Sequence, residues 1–240
     1  MLLVNFGASS KMISILCPTR NRTAGLNRMW RSALDTADNP DCLELVIYVD
    51  HDDEETRKFL ECNLPEALVI ISNPNKPEIY SNLHNICCSF CTHNIFMTCA
   101  DDVIFRTNGW DTVVIEEFNK LDDKIGFIYP NDGHHGENLG THGFFHKNWF
   151  NTLGYISPPI FSVDYSDNYI MNISSAIDRA IYLSNVLVEH MHWTFGKSEF
   201  DSTAQNAHAR RLSSNNHNIF NTSQQLQSSD IEKLRKVMYE

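Results

Sequence analysis

A chain of 240 residues with 42% apolar side chains can bury a full core, about 70–75% of the surface its unfolded form exposes, so one compact domain is the default. Nineteen basic residues against thirty acidic ones leave a formal charge of −11, which argues against non-specific adhesion to nucleic acid or anionic membrane without forbidding a local basic groove. No run approaches the roughly 20 apolar residues of a membrane span, and Met1–Phe6 is too short and lacks the basic flank of a signal peptide, so the expectation is a cytoplasmic protein.

In chain order, short β-rich apolar runs alternate with longer stretches of helical periodicity, the pattern of parallel β-α-β units whose sheet is buried on both faces. Strands are expected at Ile13–Cys17, Leu43–Asp50, Leu68–Ser72, Asn94–Thr98 and Ile125–Tyr129. Leu26, Met29, Trp30, Ala33 and Leu34 form one apolar stripe on a helix over about 23–37, and Trp110, Val113, Val114, Phe118 and Leu121 repeat it. A third helix from Glu78 to Cys91 is expected to carry Ile79, Leu83, Ile86 and Phe90 inward. After Tyr129 the alternation stops, and Asn131–Gly136 is turn chemistry opening a mixed, loop-rich region that runs to about Asp201. Residues 202–229 are rich in Ser, Asn, Gln and His, which reads as a polar tail that hugs the surface or is partly mobile, and Ser229–Tyr239 can close as a short helix capped by Ser229 or Asp230. The seven cysteines lie mostly in apolar runs and read as reduced thiols packed as small hydrophobes; Cys88 and Cys91 form a C-x-x-C without a second pair at zinc-site spacing.

Parallel sheets bind ligands beyond the carboxyl ends of their strands. Here the first expected strand runs into Pro18-Thr19-Arg20-Asn21-Arg22, the second into Asp50-His51-Asp52-Asp53 and the fourth into Asp101-Asp102, so three polar clusters meet at one edge. Two adjacent carboxylates after a buried strand repel each other and lose hydration, a cost that a divalent cation removes. The run Val186-Leu187-Val188 delivers Glu189-His190-Met191-His192, and strand alternation places His190 and His192 on one face, either as a ligand pair or as solvated surface histidines.

Ile15–Arg22 followed by a helix, the strand ending at Asp50, and Ala100–Asp111 with its Gly109-Trp110-Asp111 helix start together resemble family 2-like glycosyltransferases of the GT-A type, in their phage and bacterial form. The resemblance covers about 13–201 and implies a Rossmann-like three-layer α/β/α sandwich with a mostly parallel central sheet; 202–240 lies outside it as the polar C-terminal tail. Where many members carry Asp-x-Asp, this chain has Cys99-Ala100-Asp101, so the first acidic position is missing. The resemblance implies a metal-dependent transferase that moves a sugar from a nucleotide-diphosphate sugar, UDP-linked by preference, to an acceptor hydroxyl, and places it in the host cytoplasm if phage-encoded. It assigns Mn²⁺ or Mg²⁺ to Asp102 with His192 or His190. Donor contacts fall to Pro18, Thr19, Arg20, Arg22, Asp50, Asp52, Asn85, Asp101 and Lys197, and Thr141–Tyr155 lines the sugar pocket. Asp167, with Asp164 second, is implied as the base of an inverting reaction, against the plain reading that Asp167 caps a helix. Acceptors in view are a glycan, a small molecule or a modified DNA base. Two other classes stay open: a nucleotidyltransferase, disfavoured because Pro18–Arg22 has no glycine to cradle a triphosphate, and a non-catalytic nucleotide-sugar-binding module.

Overall fold

The computed structural model describes residues 13–240; Met1–Phe6, on which the signal-peptide argument rests, lies outside the described residues. The first half runs β1 (Ile13–Thr19), α1 (Thr23–Thr36), β2 (Leu43–Val49), α2 (Glu54–Asn63), β3 (Leu68–Ile71), α3 (Leu83–Phe90), β4 (Ile95–Thr98), β5 (Val103–Phe105) and α4 (Trp110–Asn119). The second runs β6 (Phe127–Asn131), β7 (Gly143–His146), α5 (Lys147–Leu153), α6 (Ser166–Ala176), β8 (Ala180–His190), α7 (Ser202–Ser213), α8 (Asn216–Thr222) and α9 (Gln224–Tyr239).

Alternation along the strands sorts their side chains onto two faces. Ile13, Ile15 and Cys17 of β1 point with Leu45, Ile47 and Val49 of β2 into a core closed by Leu26, Met29, Trp30 and Ala33 of α1 and by Trp110, Val114 and Phe118 of α4. Leu16, Val46 and Phe96 point the other way, toward Cys87 of α3, Trp149 of α5, Tyr169 and Ile173 of α6 and Leu234 of α9. The sheet is thus covered on both sides, the three-layer α/β/α arrangement expected. Its order is β3-β2-β1-β4-β7-β6-β8-β5. The β3, β2, β1 and β4 strands are mutually parallel and β8 is parallel to β6; β7 enters antiparallel between β4 and β6, and β5 closes the edge antiparallel to β8. Among the described residues no helix is long and apolar enough to cross a membrane.

Two expectations change. The helix foreseen from Glu78 begins as a 3-10 turn at Tyr80–Asn82, and α3 ends at Phe90, whose ring is 53% exposed rather than inward because the chain turns away there toward β4. The residues read as a polar tail form α7, α8 and α9. Their apolar side chains are few, but Ile219, Phe220, Leu226, Ile231, Leu234 and Met238 gather on the face that meets α5 and α6. Asp201 starts α7 by accepting from the Ala204 amide at 2.8 Å. Asp230, read as a cap, lies inside α9 and is fully buried.

Candidate active site

A cleft of about 1290 Å³ opens at the carboxyl ends of β1, β2 and β4, where the strand order reverses direction from β1. Binding clefts of about 300–1,000 Å³ suffice for drug-sized ligands, so this one has room for a nucleotide-sugar and part of a second substrate.

The wall above β1 and β2 is a lattice of ion pairs. Arg20 reaches Asp50 at 2.8 Å and grips both oxygens of Asp52 at 2.5 and 2.9 Å, and this grip pulls the Asp52 carboxyl down to about 2. Asn21, at φ 54°, donates its amide to Asp53 at 2.7 Å; Asp53 is buried and caps α2 through Thr56, so it belongs to the frame. Arg22 forks onto Asp201 at 2.9 and 2.8 Å and lies 3.2 Å from Asp101 and 3.8 Å from Asp102.

The adjacent carboxylates Asp101 and Asp102 have opposite environments. Asp101 is 5% exposed and accepts from the Thr19 hydroxyl at 2.7 Å. Burial first, then the neighbouring Asp102 charge, pushes its carboxyl up to about 6 despite Arg22 and Thr19. It joins β1 to the turn after β4. That turn packs so closely on α1 that a Cβ at Gly25 would stand 2.7 Å from the Asp101 carbonyl oxygen. Burial also opposes ionisation of Asp102, but the facing His190 and His142 and the nearby Arg22 outweigh it and hold that carboxyl well below the usual range.

Asp102 meets His190 because β5 pairs with β8 in the register Val103 to His190 and because the Met191 amide donates to the Asp102 carbonyl at 2.7 Å. A third residue, His142, enters from the loop before β7. Asp132 organises that loop by accepting from the His134 and His135 amides at 2.8 and 2.7 Å and from the Thr141 hydroxyl at 3.1 Å. Its own carbonyl takes the His190 amide at 3.0 Å. The His142 ring stands edge-on to His190 with centroids 4.8 Å apart. Burial, reinforced by the neighbouring His190, lowers its pKa to about 3, so the imidazole is neutral at ordinary pH.

Asp102, His142 and His190 each offer one ligand atom, all within 4.8 Å of one another. Asp102 Oδ1, His142 Nε2 and His190 Nδ1 are buried without a hydrogen-bond partner, and Asp102 Oδ1 faces His190 Nε2 at 3.4 Å. Orphaned buried polar atoms are costly, and one cation taking Asp102 Oδ1, His142 Nε2 and a nitrogen of His190 would relieve the first two. The residues therefore fit a divalent metal.

His192 stands just outside this group. β8 ends at His190, so strand alternation does not carry on to His192; its Nδ1 lies 2.7 Å from the Thr194 hydroxyl at the start of a 3-10 turn, and its ring centroid is 5.2 Å from that of His190. Lys197 pairs with Glu189 at 2.5 Å, beside Arg106, and is not among the residues bordering the cleft. Asn85 reaches the cleft floor, but its amide is spent, accepting from the Ile156 amide at 2.8 Å and donating to the Ser157 carbonyl at 2.9 Å. It fixes the Ile156–Ser157 backbone that borders the cleft. Pro18, Thr19, Arg20, Arg22, Asp50, Asp52, Asp101 and Asp102 all border the same space.

Across the cleft lies the turn into α6. Asp164 is held by Arg211 of α7 through two bonds of 2.7 and 2.9 Å. Asp167 borders the cleft, no side chain caps α6, and burial, with the Asp164 charge adding to it, pushes its carboxyl upward. Asp167 stands in the first turn of α6, one position past its first residue. Sequence reasoning placed His142 in the sugar-pocket segment and not among the metal ligands, and it missed the α7 wall with Thr203, Arg210 and Arg211, signalled by Asp201 ahead of a helix-forming run.

No family model matches the sequence, and no curated protein does. Solved structures do: the mannosyltransferase PcManGT from Pyrobaculum calidifontis, in complex with GDP-Man and Mn²⁺, is similar at a TM-score of 0.56 with 17% identity over 75% of this chain and 57% of that one. TarS residues 1–349 from S. aureus is similar at 0.56 with 12% identity over 74% of this chain and 59% of that one, and its complex with UDP-GlcNAc at 0.55 with 12% identity, covering 74% and 57%. The chain therefore spans less than three fifths of the length of these proteins. With a mostly parallel central sheet, a cleft at its carboxyl edge and this likeness over three quarters of its length, the chain has the GT-A fold.

Proposed function

We propose that the chain is a metal-dependent glycosyltransferase that moves a sugar from a nucleotide-diphosphate sugar to an acceptor hydroxyl with inversion. The observation that carries the reading is the Asp102, His142 and His190 cluster, with its unpartnered buried atoms, in the carboxyl-edge cleft of a GT-A fold. One carboxylate and two imidazoles suit Mn²⁺ better than Mg²⁺, which prefers an all-oxygen shell. When bound, the ion supplies Lewis-acid neutralisation of a departing diphosphate.

The chain's own residues do the rest. Arg20, Asp50 and Asp52 offer a charged lattice at the nucleoside end, and Arg22 can exchange its carboxylate partners for phosphate oxygens. Asp167 receives the acceptor's hydroxyl proton on a carboxylate oxygen; its raised pKa favours that step, while Asp164, neutralised by Arg211, is the lesser candidate. UDP-sugars come first among donors because TarS was solved with UDP and UDP-GlcNAc, and GDP-mannose follows from the archaeal neighbour. The acceptor is an alcohol on a glycan, a small molecule or a modified base.

The test is release of free nucleoside diphosphate from a panel of nucleotide-sugars with Mn²⁺, with Mg²⁺ and with chelator, on wild type and Asp102→Ala. Release from one donor that needs metal and is lost in the variant is expected. Metal-dependent nucleotide binding without release would replace this reading with a binding module, and pyrophosphate release from a nucleoside triphosphate and a sugar phosphate would replace it with a nucleotidyltransferase.

A further inference from the structure

Asp230 of α9 is 0% exposed and does not border the cleft. Its Oδ2 accepts from the Tyr155 hydroxyl at 2.6 Å and the Tyr169 hydroxyl at 2.8 Å, and its Oδ1 lies 3.2 Å from Lys233 Nζ. Burying a carboxylate is unfavourable, and an apolar side chain commonly packs as well at such a position. What an apolar side chain cannot do is pin two phenol groups to one point. Burial, with the Asp230 charge adding to it, raises both phenol pKa values, so both remain donors through neutral pH.

The two tyrosines lead to two segments that border the cleft. Tyr155 precedes Ile156 and Ser157, which border the cleft and whose backbone Asn85 holds. Tyr169 sits in α6 between the cleft-bordering Asn168 and Ile170 and follows Asp167 by two positions. The turn entering α6 is under tension, since Tyr165 stands at φ 76°, a conformation that bulky residues adopt only when their surroundings impose it. The other C-terminal helices impose it: His217 of α8 lies 3.0 Å from the Tyr165 hydroxyl, Phe220 packs on its ring, and Arg211 of α7 holds Asp164. Asp230 supplies the anchor beneath.

We propose that Asp230 is a positioning residue of the transfer reaction: by joining Tyr169 to Tyr155 it locks α6, and with it the Asp167 carboxylate, against the Ile156–Ser157 wall of the cleft. The proposal rests on the glycosyltransferase reading. It explains why a conspicuously polar C-terminal segment is folded onto the domain, since each of its helices grips part of the segment that carries Asp164 and Asp167.

The test compares wild type, Asp230→Asn, Tyr169→Phe and the double variant. A misplaced reacting group can cost on the order of 100-fold in rate; the expected result is a fall in kcat of at least about tenfold in each single variant. Nucleoside-diphosphate Kd in Mn²⁺ should stay within about twofold of wild type, and the double variant should be no slower than the worse single one because both changes break one link. Unchanged kcat, losses that multiply in the double variant, or nucleotide affinity falling in step with kcat would each overturn the proposal. Hydrogen exchange in the same proteins reads the lock without turnover: amides of residues 156–170 should exchange faster in Asp230→Asn while those of β1 and β4 do not, and unchanged exchange there overturns the proposal. Wild type without turnover on any donor would refute the glycosyltransferase reading, and with it a role for Asp230 in transfer.

Discussion

Replacing His142 with Phe should make the protein more stable without metal and less stable with it. The imidazole is buried, and its Nε2 has no partner. An unsatisfied buried polar atom costs about 1–3 kcal/mol, and the larger phenyl ring returns about 1 kcal/mol of that through overpacking. The net gain is about 1 kcal/mol, which for a chain of this size raises Tm by about 2–4 °C. At pH 7.5 the comparison is free of titration, because the ring is neutral in the folded state and also in the unfolded state. With Mn²⁺ at about 100 times its Kd, wild type gains about 2.7 kcal/mol. Losing a ligand should cost at least the 10–100-fold in affinity that losing a ligand's outer support typically costs, which leaves the variant a gain of only about 0.4–1.4 kcal/mol at the same metal concentration. The two melting temperatures should therefore exchange order between chelator and Mn²⁺ in differential scanning fluorimetry. An equal metal-induced shift in both proteins, or a variant that melts lower in chelator, would refute the placement of His142 in a metal site.

Asp167→Asn should separate stability from activity: turnover falls by about 10²–10⁴ if Asp167 is the general base, while the fold becomes more stable at neutral pH. The sign follows from the raised folded pKa: the proton is held more tightly in the folded state, so the stabilising contribution is complete below the ordinary value of 3.8 and is lost as pH rises through the folded value. The Tm advantage of the variant should therefore appear at pH 7.5 and vanish near pH 3.5–4, and an advantage that is constant with pH would contradict the burial argument. Lys197→Ala should leave nucleotide affinity within about twofold by calorimetry, since Lys197 is committed to Glu189 outside the cleft; a tenfold loss would return it to the donor site.

Much of the site was legible where local pattern carries the information. The continuous apolar runs of β1, β2 and β4 and the stripe of Leu26, Met29, Trp30 and Ala33 announce buried strands and a helix laid across them. Once those are parallel units, the polar residues after each strand share one edge, and Thr19, Arg20, Asp50, Asp101 and Asp102 indeed border one cleft. Composition misled at the C-terminus. Sparse apolar residues there suggested a tail, but at helical spacing a few suffice when α5 and α6 present a face to receive them.

The sequence by itself determined the elements of the first half, the sheet's parallel character and the edge at which the chemistry stands, because periodicity and strand-end polarity are properties of neighbouring residues. Tertiary structure decided which side chains meet. The pairing of β5 with β8 brings His190 and not His192 to Asp102, the Asp132 loop delivers His142, and Glu189 draws Lys197 away while Arg211 arrives on α7. Those choices depend on register and packing between segments distant in the chain, and a change of one residue in strand register turns a ligand to the opposite face.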